Sequence, residues 1–292
     1  MRVAFIGLGN MGAPMASNLA KAGFDVVGFD LSQSARVAAE GFEVADSTEH
    51  AVEGADAVVT MLPNGEALRA VYAEIVPSLP AGTLLIDCST VDVAAAGEAH
   101  EAAKAAGMDS VDAPVSGGVM GATNATLTFM MGGDGPALDR AEAVLAPMAG
   151  RMVRCGGPTA GQAAKICNNM LLAISMIGAG EAFALGRRLG LEDQALFDVI
   201  STASGQCWSV NTYCPVPGPV PTSPANRGYQ PGFAVDLMAK DLGLANEAAR
   251  AAGASTPLGD AARALYERHR RDGFGGADFS GIIRMLEGDA TS

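Results

Sequence analysis

In the first half of the chain, apolar residues form short, nearly continuous runs, and segments with helical spacing separate these runs. Buried strands of a parallel sheet give such runs, because helices cover both faces of the sheet. The runs predicted as strands are 2–7, 25–30, 55–62, 83–90, 108–118, 125–133 and 151–156. The segments predicted as helices between them are 12–22, 65–76, 92–106 and 135–147. This alternation predicts an α/β domain with a doubly wound, mostly parallel sheet.

The strand pattern ends near residue 162, and apolar residues then recur with the period of helices. The segments predicted as helices are 163–189, 192–203, 235–252, 256–271 and 278–287. A length of 292 residues is typical of about two domains. We therefore predict an α/β domain over residues 1–162 and an all-helical domain over 163–292.

A proline-rich segment interrupts the helical half. Six of the fifteen prolines lie within 215–231, and they are expected to exclude a helix there. Close to this segment lie Trp208, the only tryptophan, and two tyrosines, Tyr213 and Tyr229. A long loop inside a compact domain is usually functional or contacts a partner, and an arm that only packs on the surface is the alternative.

Composition and charge exclude several functions. The formal charge of −13 opposes binding to nucleic acid or to an anionic membrane. The chain start, MRVAFIG, reaches glycines without the apolar region of a signal peptide. The apolar run 170–186 is long enough for a membrane span, but Gly178, Gly180 and Glu181 favour a buried helix. Five cysteines and three histidines lack metal-ligand spacing, so we expect reduced thiols, no metal and a cytoplasmic location.

The first predicted strand runs into GLGNMG, in which Gly7, Gly9 and Gly12 have the spacing GxGxxG. Gly7 permits a tight turn, Gly9 lets the backbone approach a pyrophosphate, and Gly12 lets the helix pack on the strand. The helix then points backbone N–H groups at the phosphates. Asp30 ends the second strand, where its carboxylate can bind the adenosine ribose and repel the extra phosphate of NADP. This order of elements predicts a Rossmann-type domain that binds NAD.

Ligands of parallel sheets bind beyond the carboxyl ends of the strands. The residues predicted at these ends are Leu62, Pro63, Asn64, Ser89, Thr90 and the turn 116–118. For Pro63 and Asn64 alone, turn formation is the default interpretation. In the turn Ser116-Gly117-Gly118, successive N–H groups can form a nest for a carboxylate, and a plain tight turn is the alternative.

Lys165 stands in an apolar helical run, AAKIC, just after the predicted domain junction. A charge in such surroundings is costly unless it has a partner or a task. Asn169 lies four residues on and shares its helix face. Because ligands often bind in clefts between domains, the pair is a candidate acid–base site. Lys240 lies between Asp236 and Asp241, a spacing that also fits an ion pair on a helix surface.

Together these motifs resemble the β-hydroxyacid dehydrogenase family, and the resemblance extends over essentially the whole chain. It is carried by FIGLGNMGAPMA, MLPN, DCST, DAPVSGGVMGA, GQAAKICNNMLLAISMIG, SGQCW, YCPVPG, MAKDLGLA and DFSGII. The resemblance implies a long inter-domain helix and a homodimer or homotetramer formed through the helical domain. It also implies oxidation of 3-hydroxyisobutyrate to methylmalonate semialdehyde, a step of valine catabolism, with hydride transfer to NAD.

The resemblance further implies roles for individual residues. Lys165 is the implied general acid and base, in a motif that begins at Gly161, and Asn169 is implied to hold the reacting group beside it. A lysine in this role needs its pKa lowered from about 10.4 by desolvation or positive charge. The implied substrate-binding residues are Ser116, Gly117, Gly118, Asn168, Trp208 and Lys240. The implied cofactor-binding residues are Gly7, Leu8, Gly9, Asn10, Met11, Gly12, Asp30, Met61, Leu62, Pro63, Asn64, Thr90 and Lys240.

Departures from the family pattern bear on substrate choice. The chain has DCST where DSST is usual, and Asn211 and Cys214 where the resemblance leads us to expect Asp and Asn. Dehydrogenases that act on tartronate semialdehyde, glycerate or serine are therefore alternatives. An imine-reducing relative would carry a different residue in place of Lys165. A non-catalytic NAD-binding interaction module would lack this lysine altogether.

Overall fold

The computed structural model describes residues 1–288 of the chain. The chain divides into two compact units, Met1–Lys165 and Ile166–Ser292. The predicted domain ranges, 1–162 and 163–292, stay predictions, and residues 289–292 of the second range lie outside the described residues.

The strands all lie in the first unit. They are β1 Arg2–Ile6, β2 Asp25–Phe29, β3 Glu43–Val44, β4 Ala57–Thr60, β5 Leu84–Asp87, β6 Asp109–Asp112, β7 Val115–Ser116, β8 Leu127–Gly133 and β9 Ala149–Gly156. Within residues 1–288 they form one nine-stranded sheet with the order β3-β2-β1-β4-β5-β6-β8-β7, and β9 pairs with β8. The predicted α/β class with a mostly parallel sheet is confirmed.

Two strands, β8 and β9, run against the direction of the other strands, contrary to the parallel arrangement that the apolar runs indicate. β8 runs antiparallel to both β6 and β7, and parallel to β9. A parallel crossover needs a dozen or more residues, whereas only residues 117–126 separate β7 from β8, so the chain turns back. The predicted strand 108–118 is also broken at Pro114, which lacks a backbone donor.

The helices alternate with the strands and then form the second unit. They are α1 Gly12–Lys21, α2 Gln33–Ala38, α3 Thr48–Val52, α4 Gly65–Ile75, α5 Val93–Ala105, α6 Gly118–Thr123, α7 Gly135–Leu145, α8 Ala160–Arg188, α9 Asp193–Ile200, α10 Trp208–Asn211, α11 Val235–Ala251, α12 Pro257–His269 and α13 Ile282–Glu287. The sequence pattern missed α2, α3, α6 and α10, because one or two turns are too short to show a helical period.

Two apolar clusters cover the two faces of the sheet. Along β1, Val3 and Phe5 belong to one cluster, and Ala4 and Ile6 belong to the other. Successive side chains of a strand point to opposite faces, so burial on both sides explains why this strand reads as a continuous apolar run. The helices hold the carboxyl ends of the strands in place for the site described below.

The long helix α8 begins in the first unit and continues into the second. Its residues Ala173, Met176 and Ile177 belong to the apolar core of the second unit, as expected for a buried helix. By length and composition alone α8 could cross a membrane, and 44% of its most apolar window is buried within the structure.

The chain between α9 and α11 is largely irregular, with two exceptions. One is α10, and the other is a 3-10 turn at Pro224–Arg227. The expectation that prolines exclude a helix from 215–231 is therefore wrong for this turn. Pro224 takes its first position, where no N–H donor is needed, Ser223 caps it through the amide of Ala225, and Gly228 ends it with φ +62°.

His269 makes the stability of the second unit sensitive to pH. Its ring is buried and stacks on Phe274 with centroids 4.7 Å apart, and neither ring nitrogen has a hydrogen-bond partner among the described residues. Burial lowers the pKa of His269, with Arg284 adding to the effect and Asp272 opposing it. The unfolded chain therefore takes up a proton more readily than the native protein.

We predict that the free energy of unfolding falls as pH drops below about 6.5, and levels off below the lowered native pKa. Urea unfolding at several pH values measures this dependence. His269→Phe should reduce its slope in this window, whereas His50→Gln, at an exposed position, should not. Equal slopes for the wild type and His269→Phe would contradict the prediction.

Candidate active site

The glycine turn after β1 presents its backbone at the carboxyl end of the sheet. Gly7 has φ +100°, and a Cβ there would lie 2.3 Å from the carbonyl oxygen of Met61. A Cβ on Gly12 would lie 1.9 Å from the carbonyl oxygen of Gly7, whereas one on Gly9 would meet nothing within 4 Å. Packing thus requires glycine at positions 7 and 12 but not at position 9, where the approach of a pyrophosphate stays a prediction. Leu8, Asn10 and Met11 complete the turn.

The carboxylate of Asp30 lies against this turn. Its Oδ2 accepts a hydrogen bond of 2.7 Å from the amide of Leu8, and its Oδ1 accepts one of 2.7 Å from the amide of Ser32. These bonds hold the side chain at the end of β2, beside the glycine turn. Each carboxylate oxygen can accept more than one hydrogen bond, so the group can still bind ribose hydroxyls.

Arg36 on α2 is a residue that sequence reasoning missed. Its guanidinium donates to the carbonyl oxygen of Asp30 at 2.5 Å and lies 5.5 Å from the ring centroid of Phe29. An arginine near the acid is the group that accommodates a 2′-phosphate in NADP-binding domains. The available signal was the position of Arg36, six residues after Asp30 and within the next helix.

Hydrogen bonds join the ends of β4 and β5. Thr60 and Ser89 donate their hydroxyls to Oδ1 of Asp87 at 2.7 and 2.5 Å. The amide of Leu62 donates to Oγ of Ser89 at 2.7 Å, so the loop after β4 is fixed to the end of β5. Burial raises the pKa of Asp87, and the hydrogen bonds from Ser89 and Thr60 oppose this effect.

The predicted cofactor residues of this region lie in the two loops. Met61, Leu62 and Pro63 follow β4, and Thr90 follows β5, which pairs with β4 in parallel. The side chain of Asn64 caps α4 by accepting a 2.8 Å hydrogen bond from the amide of Ala67. Its local function is thus that of a helix cap, and contact with a cofactor stays a prediction.

The turn 116–118 contains two successive glycines with positive φ, and its predicted role as an anion nest stays a prediction. Gly117 has φ +135° and Gly118 has φ +62°, both in the region that favours glycine. Ser116 ends β7, and Gly118 begins α6. The successive N–H groups of such a turn can bind an anion such as a carboxylate.

Lys165 lies in the second turn of α8, and only 6% of it is exposed. Lys165 is therefore not a solvated surface side chain, in keeping with its apolar neighbours in the sequence. Asn169 lies one turn further along α8, on the same side of the helix.

In the second unit, an unpredicted carboxylate holds Asn169. The amide of Asn169, which is 2% exposed, donates to Oδ2 of Asp241 at 2.6 Å and accepts a bond of 3.0 Å from Asn168. Asp241 is itself buried, and its Oδ1 lies 3.8 Å from Nζ of Lys240. Lys240 thus has the acidic neighbour that the spacing allowed. Asp241, however, is buried instead of lying on the helix surface, and it also orients Asn169. The apolar residues around Asp241 were the available signal for its burial.

Trp208 begins α10 and is about half exposed, at 49%. Its ring stacks on Tyr213 with centroids 4.7 Å apart, and Tyr213 stacks on Phe279 at 5.4 Å. Tyr213 donates its hydroxyl to Asp278 at 2.9 Å. Trp208 therefore stands at the exposed end of an aromatic stack, and its contact with substrate stays a prediction.

The predicted site residues are divided between the units. The first unit holds the glycine turn, Asp30, residues 61–64, Thr90, the turn 116–118 and Lys165, and the second holds Asn168, Asn169, Trp208 and Lys240. Within residues 1–288, no group of three or more His, Cys, Asp or Glu side chains is arranged to hold a metal ion.

A glycine turn with an acid at the end of the second strand, on a Rossmann-type sheet, defines the class of dinucleotide-binding α/β proteins. Residues 2–157 match the NAD binding domain of 6-phosphogluconate dehydrogenase. Residues 159–286 match the family described as NAD-binding of NADP-dependent 3-hydroxyisobutyrate dehydrogenase. The chain belongs to the 3-hydroxyisobutyrate dehydrogenase family.

Similar proteins cover the whole chain. A probable 3-hydroxyisobutyrate dehydrogenase of Mycobacterium tuberculosis is 52% identical, over 99% of this chain and 98% of its own. An NAD-dependent L-serine dehydrogenase of Pseudomonas aeruginosa is 45% identical, over 98% of each chain. A solved structure of the Mycobacterium tuberculosis 3-hydroxyisobutyrate dehydrogenase with L-serine has a TM-score of 0.95 and 53% identity, over 98% of each chain. The protein is thus an NAD-dependent hydroxyacid dehydrogenase.

Removal of the Asp30 carboxylate should weaken the preference for NAD. We predict that Asp30→Ala raises KM for NAD by about tenfold, since it loses hydrogen bonds to the ribose, and raises KM for NADP less, since repulsion of the 2′-phosphate is also lost. Initial rates with each cofactor measure this ratio. Asp25→Ala, at the exposed start of β2, is the control and should leave the ratio unchanged. An unchanged ratio in Asp30→Ala would contradict the role of Asp30.

Proposed function

We propose that the protein oxidises 3-hydroxyisobutyrate to methylmalonate semialdehyde, with NAD as the hydride acceptor. The observation that carries this proposal is the burial of Lys165 on a helix whose next turn carries the buried Asn169. A buried amine beside a buried side-chain amide has the chemistry of a general acid and base. The names of the relatives support the substrate class.

In the proposed mechanism, the substrate carboxylate binds the backbone N–H groups of residues 116–118. Asn169, held by Asp241, orients the hydroxyl group beside Nζ of Lys165. Bound NAD supplies the acceptor for the hydride that leaves the carbinol carbon. Nζ of Lys165 takes the hydroxyl proton as the C–O bond becomes a carbonyl, and it returns that proton in the reverse direction.

The remaining roles follow the same proposal. Asn168 and Trp208 bind the substrate, and Lys240 contacts substrate or cofactor with its charge balanced by Asp241. Valine catabolism, a cytoplasmic location and a homodimer or homotetramer belong to the proposal as well. They are supported by the substrate class and by the resemblance of the sequence.

L-Serine is the second candidate substrate. One relative is named an L-serine dehydrogenase, and one similar structure contains L-serine. L-Serine shares the carboxylate and the 3-hydroxyl with 3-hydroxyisobutyrate, but it has an amino group where the latter has a methyl group. Groups that bind only the carboxylate and the hydroxyl cannot discriminate between L-serine and 3-hydroxyisobutyrate. The residues around C2, the carbon that carries the methyl or amino group, therefore determine which substrate is preferred.

A substrate panel tests this choice. We predict that kcat/KM for 3-hydroxyisobutyrate exceeds that for L-serine and glycerate by about tenfold or more, because a methyl group and a charged amine need different surroundings. NADH formation measures the oxidations, and NADH consumption measures the reduction of tartronate semialdehyde. A higher kcat/KM for any of these compounds would reassign the substrate.

Replacement of Lys165 tests the mechanism. We predict that Lys165→Ala lowers kcat by about 100-fold or more, because the proton acceptor is lost. The affinity for NADH, measured by fluorescence titration, should stay within about threefold, since the glycine turn is unchanged. Lys104→Ala, at an exposed position of α5, is the matched control and should keep wild-type kcat. Near-normal turnover by Lys165→Ala would rule out the mechanism.

A further inference from the structure

We propose that Asp112 and Gln162 are positioning residues that fix the first turn of α8, and with it Lys165, to the end of β6 and to the segment after β5 that contains Thr90. The proposal rests on the role of Lys165 proposed above. It concerns residues of the first unit alone, and neither Asp112 nor Gln162 was predicted as a site residue.

Asp112 anchors the start of α8. Its carboxylate is 2% exposed at the end of β6. Oδ1 accepts hydrogen bonds of 2.9 Å from the amide of Thr159 and from Nε2 of His100, and Oδ2 accepts one of 2.8 Å from the amide of Gln162. The first amides of a helix lack partners within the helix, and negative charge is favourable there. One buried carboxylate therefore satisfies two backbone donors at the helix start.

His100 and Thr159 show that further contacts hold the Asp112 carboxylate and the start of α8 in place. Nδ1 of His100 lies 2.6 Å from Oγ of Ser110, so the imidazole that contacts Asp112 is held at both nitrogens. Thr159 has φ +71°, a conformation that β-branched residues rarely adopt. Such strain persists only where the surrounding contacts require it, and the bond to Asp112 is one such contact.

Close packing prevents the helix start from shifting. A Cβ on Gly161 would lie 2.3 Å from the carbonyl oxygen of Met130 and 2.8 Å from Oδ2 of Asp112. A Cβ on Gly132 of β8 would lie 2.6 Å from the amide nitrogen of Gly161. The helix backbone thus rests directly on the backbones of β6 and β8. Any displacement of the first turn would break contacts on two strands.

Gln162 joins this turn to the cofactor side of the sheet. Its side chain is fully buried, at 0% exposure. Nε2 donates to the carbonyl oxygen of Ser89 at 2.7 Å, and Oε1 accepts a 3.2 Å hydrogen bond from the amide of Val91. These two backbone groups flank Thr90. The side-chain amide of Gln162 therefore links α8 to the residues on both sides of Thr90, a predicted cofactor residue.

The hydrogen bonds of Asp112 and Gln162 together form a clamp on the first turn of α8. The spacing along the helix connects this clamp to Lys165. Gln162 and Lys165 are three residues apart, so they are neighbours on the helix surface. Proton and hydride transfer need reacting groups held in a narrow range of positions, and a misplacement of about 1 Å can cost roughly 100-fold in rate. A clamp that holds both the helix start and the Thr90 segment controls the position of Lys165 relative to the cofactor residues.

The first test is Gln162→Met, which keeps the length of the side chain and removes both hydrogen bonds. We expect kcat to fall by about tenfold or more, while KM and the Kd for NADH stay within about threefold. The control is Asn246→Leu in the second unit, where a buried amide donates to Asp260 at 2.8 Å and accepts from Arg263 at 3.5 Å. This variant should lower Tm but keep wild-type kcat.

Gln162→Glu is a second variant, in which Oε1 can still accept from Val91 but the Nε2 donor to the carbonyl oxygen of Ser89 is lost. It should lower kcat in the same direction and leave KM unchanged. Wild-type kcat in both Gln162 variants would overturn the proposal. So would a loss of NADH affinity that accounts for the whole decrease in rate, because Gln162 would then act on cofactor binding.

A double-mutant cycle separates positioning from general damage. If Gln162 acts through Lys165, adding Gln162→Met to Lys165→Ala should change kcat by less than about threefold. A further decrease as large as in the single variant would overturn the proposal. Wild-type kcat for Gln162→Met with inactive Lys165→Ala overturns this inference alone. Near-normal kcat for Lys165→Ala overturns the proposed function and this inference with it.

Discussion

The buried carboxylate of Asp112 is the contact on which the arrangement of the first unit depends. It lies where β6 ends and α8 begins. It accepts hydrogen bonds from the backbone amides of Thr159 and Gln162, and it also contacts the imidazole of His100. Without it, two helix amides would be buried without partners, at a cost of about 1–3 kcal/mol each. Because α8 also carries Lys165, the contact that stabilises the fold also sets the position of the proposed acid–base group.

Much of the fold could be predicted because it depends on local patterns. The glycine turn, Asp30 and the buried strands are visible within short stretches of sequence, and their prediction as an α/β fold is confirmed. The antiparallel direction of β8 was not visible, since it follows from the length of the connection and not from apolar periodicity. The short helices α2, α3, α6 and α10 were missed because one or two turns show no clear period.

The partners of the site residues depend on the tertiary fold. Lys165 could be singled out because its apolar neighbours are adjacent in sequence. Asp241 is 72 residues from Asn169, and Asp112 is 50 residues from Gln162, so no local pattern reveals these bonds. Sequence reasoning therefore found the groups proposed for the chemistry and missed the carboxylates that hold them.

The central claim is direct hydride transfer from the substrate to NAD with Lys165 as the proton acceptor. Mass spectrometry of the NADH formed from 3-hydroxyisobutyrate deuterated at the carbinol carbon tests it most directly. We expect wild-type enzyme to give singly deuterated NADH, and Lys165→Ala to form it at least about 100-fold more slowly. Unlabelled NADH would rule out direct hydride transfer, and labelled NADH formed by Lys165→Ala at the wild-type rate would rule out Lys165 as the proton acceptor.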